Sequence, residues 1–202
     1  METHSAIRSA ITRFRQHGGL LRTAEALRWG IHPRTLYAMR DSGVLEQLSR
    51  GLYRLADLPP LSNPDLVTVA LKVPQAVVCL VSALSFHALT TQIPHVVDVA
   101  LKRGSERPRL EYPPLRISWF SGLAWSDGVE TYPVDGVPVR IYNPAKSVAD
   151  VFKYRRKIGL DVALESLKLY RRHSSFDVDE LLHYARTCRV AQVMKPYLEA
   201  LL

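Results

Sequence analysis

The pattern of hydrophobic and polar positions predicts two helices at the start of the chain. Apolar residues recur at helical spacing over residues 3–17, and two glycines follow them. A second, short helix is expected to begin after an N-cap at Thr23 and to end at Gly30. Its buried face is expected to hold Ala24 and Leu27.

A third helix is predicted from Pro33, which favours the first position of a helix, to the stop signal Gly43. Its inward face is expected to hold Leu36 and Met39. The residues expected on the outward face are Arg34, Thr35, Tyr37, Arg40 and Asp41.

The period of the pattern changes to two after Gly43, which predicts a β-hairpin. Residues 44–48 and 52–55 are the expected strands, and residues 49–51 form the turn between them. Three helices followed by a hairpin is the order of a winged helix-turn-helix domain, here assigned to residues 1–57.

A proline-rich stretch at residues 58–64 lacks periodicity and predicts a linker. Residues 65–202 are expected to form a mixed α+β C-terminal domain whose last third is helical, so the fold class of the chain is α+β. Strands are expected at 77–81, 96–101 and 116–120, and as a pair within 129–142 that turns at Asp135–Gly136. Helices are expected at 65–72, 82–89, after Pro144, around Leu160–Leu167, after a cap at Asp177, and at 191–202.

The charge balance favours a polyanionic partner. The chain has 27 Lys+Arg against 19 Asp+Glu, a formal net charge of +8. Residues 1–57 contain nine Arg, no Lys and five acidic residues, and the forked Arg side chain suits phosphate and guanine. The predicted contacts to double-stranded DNA are Arg28, Arg34, Thr35, Tyr37 and Arg40 on the helices, Ser49 and Arg50 at the hairpin tip, and Arg54 on the second strand. The alternative is that a three-helix unit with surface arginines is a protein–protein interaction module.

A second concentration of charge lies in residues 140–172, with nine basic and three acidic residues. Two interpretations are equally weighted: cations near helix C-termini that are only solvated, or a second nucleic-acid or partner surface. The residues of this possible second basic surface are Lys153, Arg155, Arg156, Lys157, Arg171 and Arg172, with Lys168 between them.

The sequence lacks the local motifs of common enzymes, including a P-loop, GxGxxG, GxSxG, CxxC and HExxH. We therefore expect no catalysis, no cofactor and no metal. The competing hypothesis is a metal-dependent enzyme acting on nucleic acid, with Asp98 and Lys102, or Asp177 and Asp179, at its site. We favour helix capping for Asp177, and a packed core position for His87.

Two further exclusions concern cysteine and the membrane. With only Cys79 and Cys188, a disulfide framework or a four-cysteine zinc site is not available, and both thiols are expected to be inert. No run approaches the roughly 18 apolar residues of a membrane helix, and arginines interrupt the N-terminal apolar pattern, unlike a signal peptide. A cytoplasmic protein without a membrane partner is expected.

Three blocks of the sequence resemble the AbiEi family, a resemblance that extends over nearly the whole chain. They are RGLYRL at 50–55, SALSFHALT at 82–90, and NPAKSVADVFKYR at 143–155 followed by IGLD at 158–161. The family comprises bacterial antitoxins and transcriptional autorepressors of type IV toxin-antitoxin systems, which act in abortive infection, a phage defence.

The resemblance implies a mode of action. The winged helix would bind inverted repeats in the promoter of its own operon, with 33–40 as the DNA-contacting helix and 48–54 as the wing. The C-terminal domain would support cooperative repression and oppose a nucleotidyltransferase-type toxin without a stable complex. Binding to inverted repeats is compatible with a protein that is a monomer in solution and pairs on DNA. One departure is His32, where the family commonly has a Ser or Thr cap.

Overall fold

The computed structural model describes residues 2–201, with side chains from residue 5 onwards, and it has a mixed α+β fold. The chain divides into two compact units, residues 2–64 and 65–201. Each unit has its own hydrophobic core. No helix within the described part of the chain is long and apolar enough to cross a membrane.

The first unit packs three helices on a small antiparallel sheet. Phe14, Leu36 and Met39 are fully buried in its core. The sheet order is β1-β3-β2, so that the third strand lies in the middle. The elements are α1 (Glu2–Gln16), β1 (Leu20–Arg22), α2 (Thr23–Arg28), α3 (Pro33–Asp41), β2 (Leu45–Ser49) and β3 (Leu52–Leu55).

Two predictions for α2 were wrong. Thr23 is the first helical residue rather than the cap, and the backbone N–H of Arg22 donates to the Glu25 carboxylate at 2.8 Å. Leu27 is 42% exposed and Ala24 is exposed, whereas Ala26 is buried. A helix of six residues has fewer than two turns, so its periodicity is a weak guide to its buried face.

The second unit is built on a five-stranded mixed sheet with the order β6-β5-β4-β8-β7. β5 and β6 run parallel, as do β4 and β8, and the other pairs are antiparallel. Its elements are α4 (Pro64–Lys72), β4 (Val77–Val78), α5 (Leu80–Phe86), β5 (Val97–Lys102), β6 (Leu115–Phe120), α6 (Leu123–Ser126), β7 (Val129–Val134), β8 (Val137–Tyr142), α7 (Pro144–Ile158), α8 (Leu160–Arg171), α9 (Val178–Thr187) and α10 (Ala191–Leu201).

Most predicted elements of this unit are present, and the turn at Asp135–Gly136 joins β7 to β8 with positive φ at both residues. The strand expected at 77–81 is shorter. β4 ends at Val78, and α5 begins at Leu80, whose φ of 48° lies in the left-handed region. The chain therefore turns into the helix two residues earlier than the apolar pattern suggests.

Helix α7 passes through the core of the second unit and carries two buried charges. Lys146 Nζ lies 2.6 Å from both carboxylate oxygens of Asp150, and both side chains are almost fully enclosed. The Lys146 ammonium lies 4.2 Å from the ring centroid of Tyr142, and the Cys188 thiol donates to Asp150 at 3.2 Å. Burial raises the pKa of the Asp150 carboxyl.

Candidate nucleic-acid interface

The orientation of α3 is fixed by its apolar face. Leu36 and Met39 are both fully buried, as predicted, and Pro33 occupies the first turn. The helix begins at a histidine cap, because His32 Nδ1 accepts from the backbone N–H of Arg34 at 3.2 Å. The His32 ring nitrogen therefore supplies the cap acceptor that a Ser or Thr hydroxyl would otherwise supply.

The opposite face of α3 presents Arg34, Tyr37 and Arg40 to solvent, while Thr35 is half-buried. The three exposed side chains are spaced three residues apart, so they project from neighbouring turns on one side of the helix. Two cations and a phenol in this arrangement suit the base edges and phosphates of a major groove.

Arg40 already has partners within the protein. Its Nε donates to Asp41 Oδ1 at 2.8 Å, and its guanidinium carbon lies 5.2 Å from the centre of the Tyr37 ring. The hydrogen bond to Asp41 raises the pKa of the Arg40 guanidinium. Asp41 offsets part of the positive charge of Arg40, whereas no salt bridge to an acidic side chain is seen for Arg34 among the described residues.

The tip of the β2–β3 hairpin carries the predicted pair Ser49 and Arg50. Arg50 is exposed, and Gly51 has a φ of 72°, which lets the chain turn there. A register shift between Gln47 and Ser49 bends the strand just before the tip. The Ser49 hydroxyl is buried and has no hydrogen-bond partner among the described residues, which corrects the prediction that this side chain contacts DNA.

Arg54 corrects the prediction that it contacts DNA from the second strand. It is 5% exposed, its guanidinium donates to Glu46 Oε1 at 2.6 Å, and it also bonds the Pro59 carbonyl. Every residue of β3 is buried, because β3 is the central strand. Arg54 therefore holds the hairpin and the following segment together rather than facing a ligand.

Arg22 is a basic residue near the hairpin that the sequence analysis missed. It pairs with Leu52 across the sheet, and its Nε is buried without a hydrogen-bond partner among the described residues. The next residue, Thr23, donates its backbone N–H to the Gly51 carbonyl at 3.0 Å, so the start of α2 is tied to the tip. Arg28, at the other end of α2, is exposed as predicted.

Comparison with known proteins bears on this unit first. Residues 9–56 match the family described as transcriptional regulator, AbiEi antitoxin. The resemblance to AbiEi proteins is thereby confirmed over α2, α3, the hairpin and most of α1. The match lies wholly within the first unit, and the description of that family is of a transcriptional regulator and antitoxin. The blocks at 82–90 and 143–161 lie outside the matched residues.

The whole fold also has a known counterpart. The RV2827C protein from Mycobacterium tuberculosis, known from its crystal structure, is similar with a TM-score of 0.58 and 13% sequence identity. The similarity covers 98% of this chain and 81% of that protein. At this identity the similarity concerns the fold alone. No curated protein matches the sequence.

Outside the AbiEi match, the possible second basic surface lies on α7 and α8 of the other unit. Its exposed members are Lys153, Arg156, Lys157, Arg171 and Arg172. Arg155 differs from them, because it is half-buried and its guanidinium donates to the Phe152 carbonyl at 2.8 Å. Arg155 is therefore partly exposed to solvent, and its guanidinium also satisfies a carbonyl in the last turns of α7.

Asp98 and Asp177, two residues of the enzyme hypothesis, have structural roles. Asp98 is fully buried and forms a bidentate ion pair with Arg116, while Lys102 is exposed at the end of β5. Asp177 caps α9, accepting from the backbone N–H groups of Asp179 and Glu180 at 2.9 and 3.0 Å. Within the described residues, no three metal-ligating side chains come together.

The remaining titratable groups singled out from the sequence are core residues. His87 Nε2 lies 2.8 Å from the Tyr142 carbonyl oxygen, and burial lowers the pKa of its imidazole. Cys79 and Cys188 are buried free thiols, and burial raises the pKa of both, that of Cys188 to about 12. Thiols of this kind are poor nucleophiles.

Proposed function

We propose that the first unit is a winged helix-turn-helix domain, with 1–57 as the domain proper and 58–64 as its linker, and that it binds operator DNA. In this proposal α3 enters the major groove and the hairpin tip contacts the adjacent backbone or minor groove. The observation that carries the proposal is the two-faced α3, which buries Leu36 and Met39 and exposes Arg34, Tyr37 and Arg40.

The contacts within this proposal have two functions. Arg34, Tyr37 and Arg40, with Thr35 beside them, are assigned to sequence recognition on α3. Arg50 at the tip, Arg28 on α2 and Arg22 are assigned to backbone positioning, and Ser49 is not, because its hydroxyl is buried. Arg54 is left out, since its guanidinium is buried and paired.

The biological role we propose follows the AbiEi match. The protein would repress its own operon by binding promoter inverted repeats, and it would act as the antitoxin of a type IV system against a nucleotidyltransferase-type toxin. No stable antitoxin–toxin complex is expected. The protein would be a cytoplasmic monomer that pairs on the two half-sites of DNA.

The test of DNA recognition is a gel-shift titration on the inverted repeat upstream of the gene. Arg34→Ala and Arg40→Ala are each expected to cost about 1–3 kcal/mol of binding to the operator and to relax sequence preference. Arg8→Ala, which removes an exposed arginine from α1, serves as the matched control. Unchanged operator binding by the Arg34/Arg40 double variant would overturn the assignment of α3.

The antitoxin role needs a separate measurement. The toxin gene and the gene of this protein are expressed from two separate promoters. Repression of the native operon then does not change the amount of either protein. The Arg34/Arg40 double variant is expected to lose repression and to keep its neutralisation of toxicity, because the second unit is intact. If neither the wild type nor the variant neutralises the toxin, the antitoxin part of the proposal fails while the repressor part stands.

A further inference from the structure

A cleft of about 580 Å³ lies at the carboxyl ends of β5 and β6, within the second unit. Its other walls come from α7, from the segment at the start of α6, and from the turn after α9. Open α/β sheets bind ligands outside the carboxyl ends of their parallel strands. The volume is in the range of small-molecule pockets.

The cleft is lined by three cations, Arg103, Lys153 and Arg189. All three are exposed, and none forms an ion pair with an acidic side chain among residues 5–201. The acidic residue that lines the cleft is Asp150, which lies between Lys146 Nζ and the Cys188 thiol. Because this carboxylate is already neutralised, the field in the cleft favours an anion.

The backbone at Arg189 adds an independent observation. Its φ of 60° lies in the left-handed region, immediately after α9 and its C-cap Cys188. Glycine is the residue that usually ends a helix in this conformation, since a side chain there is strained. Leu80 and Asp135 share this conformation, so the strain at Arg189 does not by itself assign a role, but it means that Arg189→Gly removes the side chain without adding backbone strain.

A partly exposed aromatic ring lines the same cleft as these cations. Trp119, next to the end of edge strand β6, is 40% exposed and lines the cleft. Its indole Nε1 donates to the Ser105 carbonyl at 3.4 Å. Phe120, also in the lining, packs against Tyr154 with ring centroids 5.8 Å apart. A partly exposed indole beside free cations is the combination that binds a base and its phosphates.

We propose that this cleft binds a mononucleotide, with its phosphates on Arg103, Lys153 and Arg189 and its base stacked on Trp119. The site lies wholly in the second unit, and the proposal does not depend on the DNA-binding role of the first. It is a binding site without a covalent step. Asp150 and Cys188 line it, and Asp150 is paired with Lys146, which lies outside the lining.

The test is isothermal titration of the full-length protein with ATP as the probe. Saturable binding is expected for the wild type. Arg103→Ala, Lys153→Ala and Arg189→Gly are each expected to raise Kd at least about tenfold, and Trp119→Ala about tenfold. Arg189→Gly is the sharpest variant, because glycine relieves the backbone strain and should leave the unfolding transition unchanged or raised. The matched control is Arg186→Ala, an exposed cation on the last turn of α9 that does not line the cleft.

Separate probes distinguish the parts of the ligand. Adenosine and inorganic tripolyphosphate are each expected to bind more weakly than ATP. Absence of saturable ATP binding at about 1 mM overturns the proposal, and so does binding that Arg189→Gly and Lys153→Ala leave unchanged. If tripolyphosphate binds as tightly as ATP, or a short single-stranded oligonucleotide displaces ATP from the cleft, the mononucleotide assignment is wrong. Operator binding by these variants, measured in parallel, is expected to equal that of the wild type.

Discussion

In the first unit the charged residues of α3 stand at the surface over a core of Leu36 and Met39, whereas the second unit encloses Lys146 and Asp150 inside its core. An exposed cation costs little in folding and is available to a partner. A buried ion pair loses hydration, and each member depends on the other. Removing a charge should therefore affect binding in one region and folding in the other.

The largest expected effect is at the buried pair. Lys146→Met leaves Asp150 enclosed without its cation, so the free energy of unfolding should fall by about 3–5 kcal/mol. Urea denaturation followed by circular dichroism measures this. The double variant Lys146→Met/Asp150→Leu should recover most of the loss, because no unpaired charge remains. If the free energy of unfolding of Lys146→Met lies within about 1 kcal/mol of the wild-type value, the pair does not determine stability.

Arg54 differs from the exposed arginines of the first unit because it is buried. Arg54→Ala removes the bonds to Glu46 and Pro59 and should cost about 2–3 kcal/mol in unfolding free energy. Glu46 is 44% exposed and can regain water, so the loss is smaller than in the second unit. Arg50→Ala, four residues away, is the matched control and should change stability by less than about 0.5 kcal/mol. Equal losses for the two variants would contradict the distinction between buried and exposed arginines.

His87 gives the interior of the second unit a pH dependence. Burial lowers its pKa in the folded state below the ordinary value of 6.5, so in the window between these pKa values the unfolded chain takes up a proton that the folded chain does not. The free energy of unfolding should fall as pH falls through this window, by up to about 1.4 kcal/mol per pH unit. The slope should be smaller in His87→Gln than in the wild type. A slope that His87→Gln does not reduce would place the dependence elsewhere.

The smallest effect is expected at the hairpin tip, and it concerns binding alone. Arg50→Ala should weaken binding by about 1 kcal/mol for operator and unrelated DNA alike, since phosphate contacts carry no sequence information. The slope of log K against log salt should fall by about 1. Fluorescence anisotropy at several salt concentrations measures both quantities. A loss confined to the operator would mean that Arg50 contacts bases.

Several elements could be predicted from the sequence because their signals are local. The β2–β3 hairpin follows from a period of two around a glycine, and α3 follows from a proline at its start and an apolar face of Leu36 and Met39. β1 has three residues and no measurable period, so it was missed. Asp177 was recognisable as a cap because its role depends only on the next three residues.

The limits of prediction at the candidate site have a different cause. Arg50 and Arg54 look alike in the sequence, and strand alternation does not separate them, because both faces of β3 are covered. Arg54 is enclosed by contacts with Glu46 on the neighbouring strand and with the Pro59 carbonyl after the hairpin, and neither contact is visible in the local pattern. Similarly, the i,i+4 spacing of Lys146 and Asp150 suggests a pair, but its enclosure depends on helices α8 and α9, which come later in the chain.

The hydrogen bond from Thr23 to Gly51 joins two segments through main-chain atoms alone. Exchange of either side chain, except for proline at position 23, keeps both the donor and the acceptor, so this contact between α2 and the hairpin tip does not depend on which side chains are present. Under the proposed role, new operator preferences would arise when side chains are exchanged while the main-chain positions of α2 and the hairpin stay the same. The positions on the DNA that α2 and the hairpin tip reach would stay the same while the preferred bases changed.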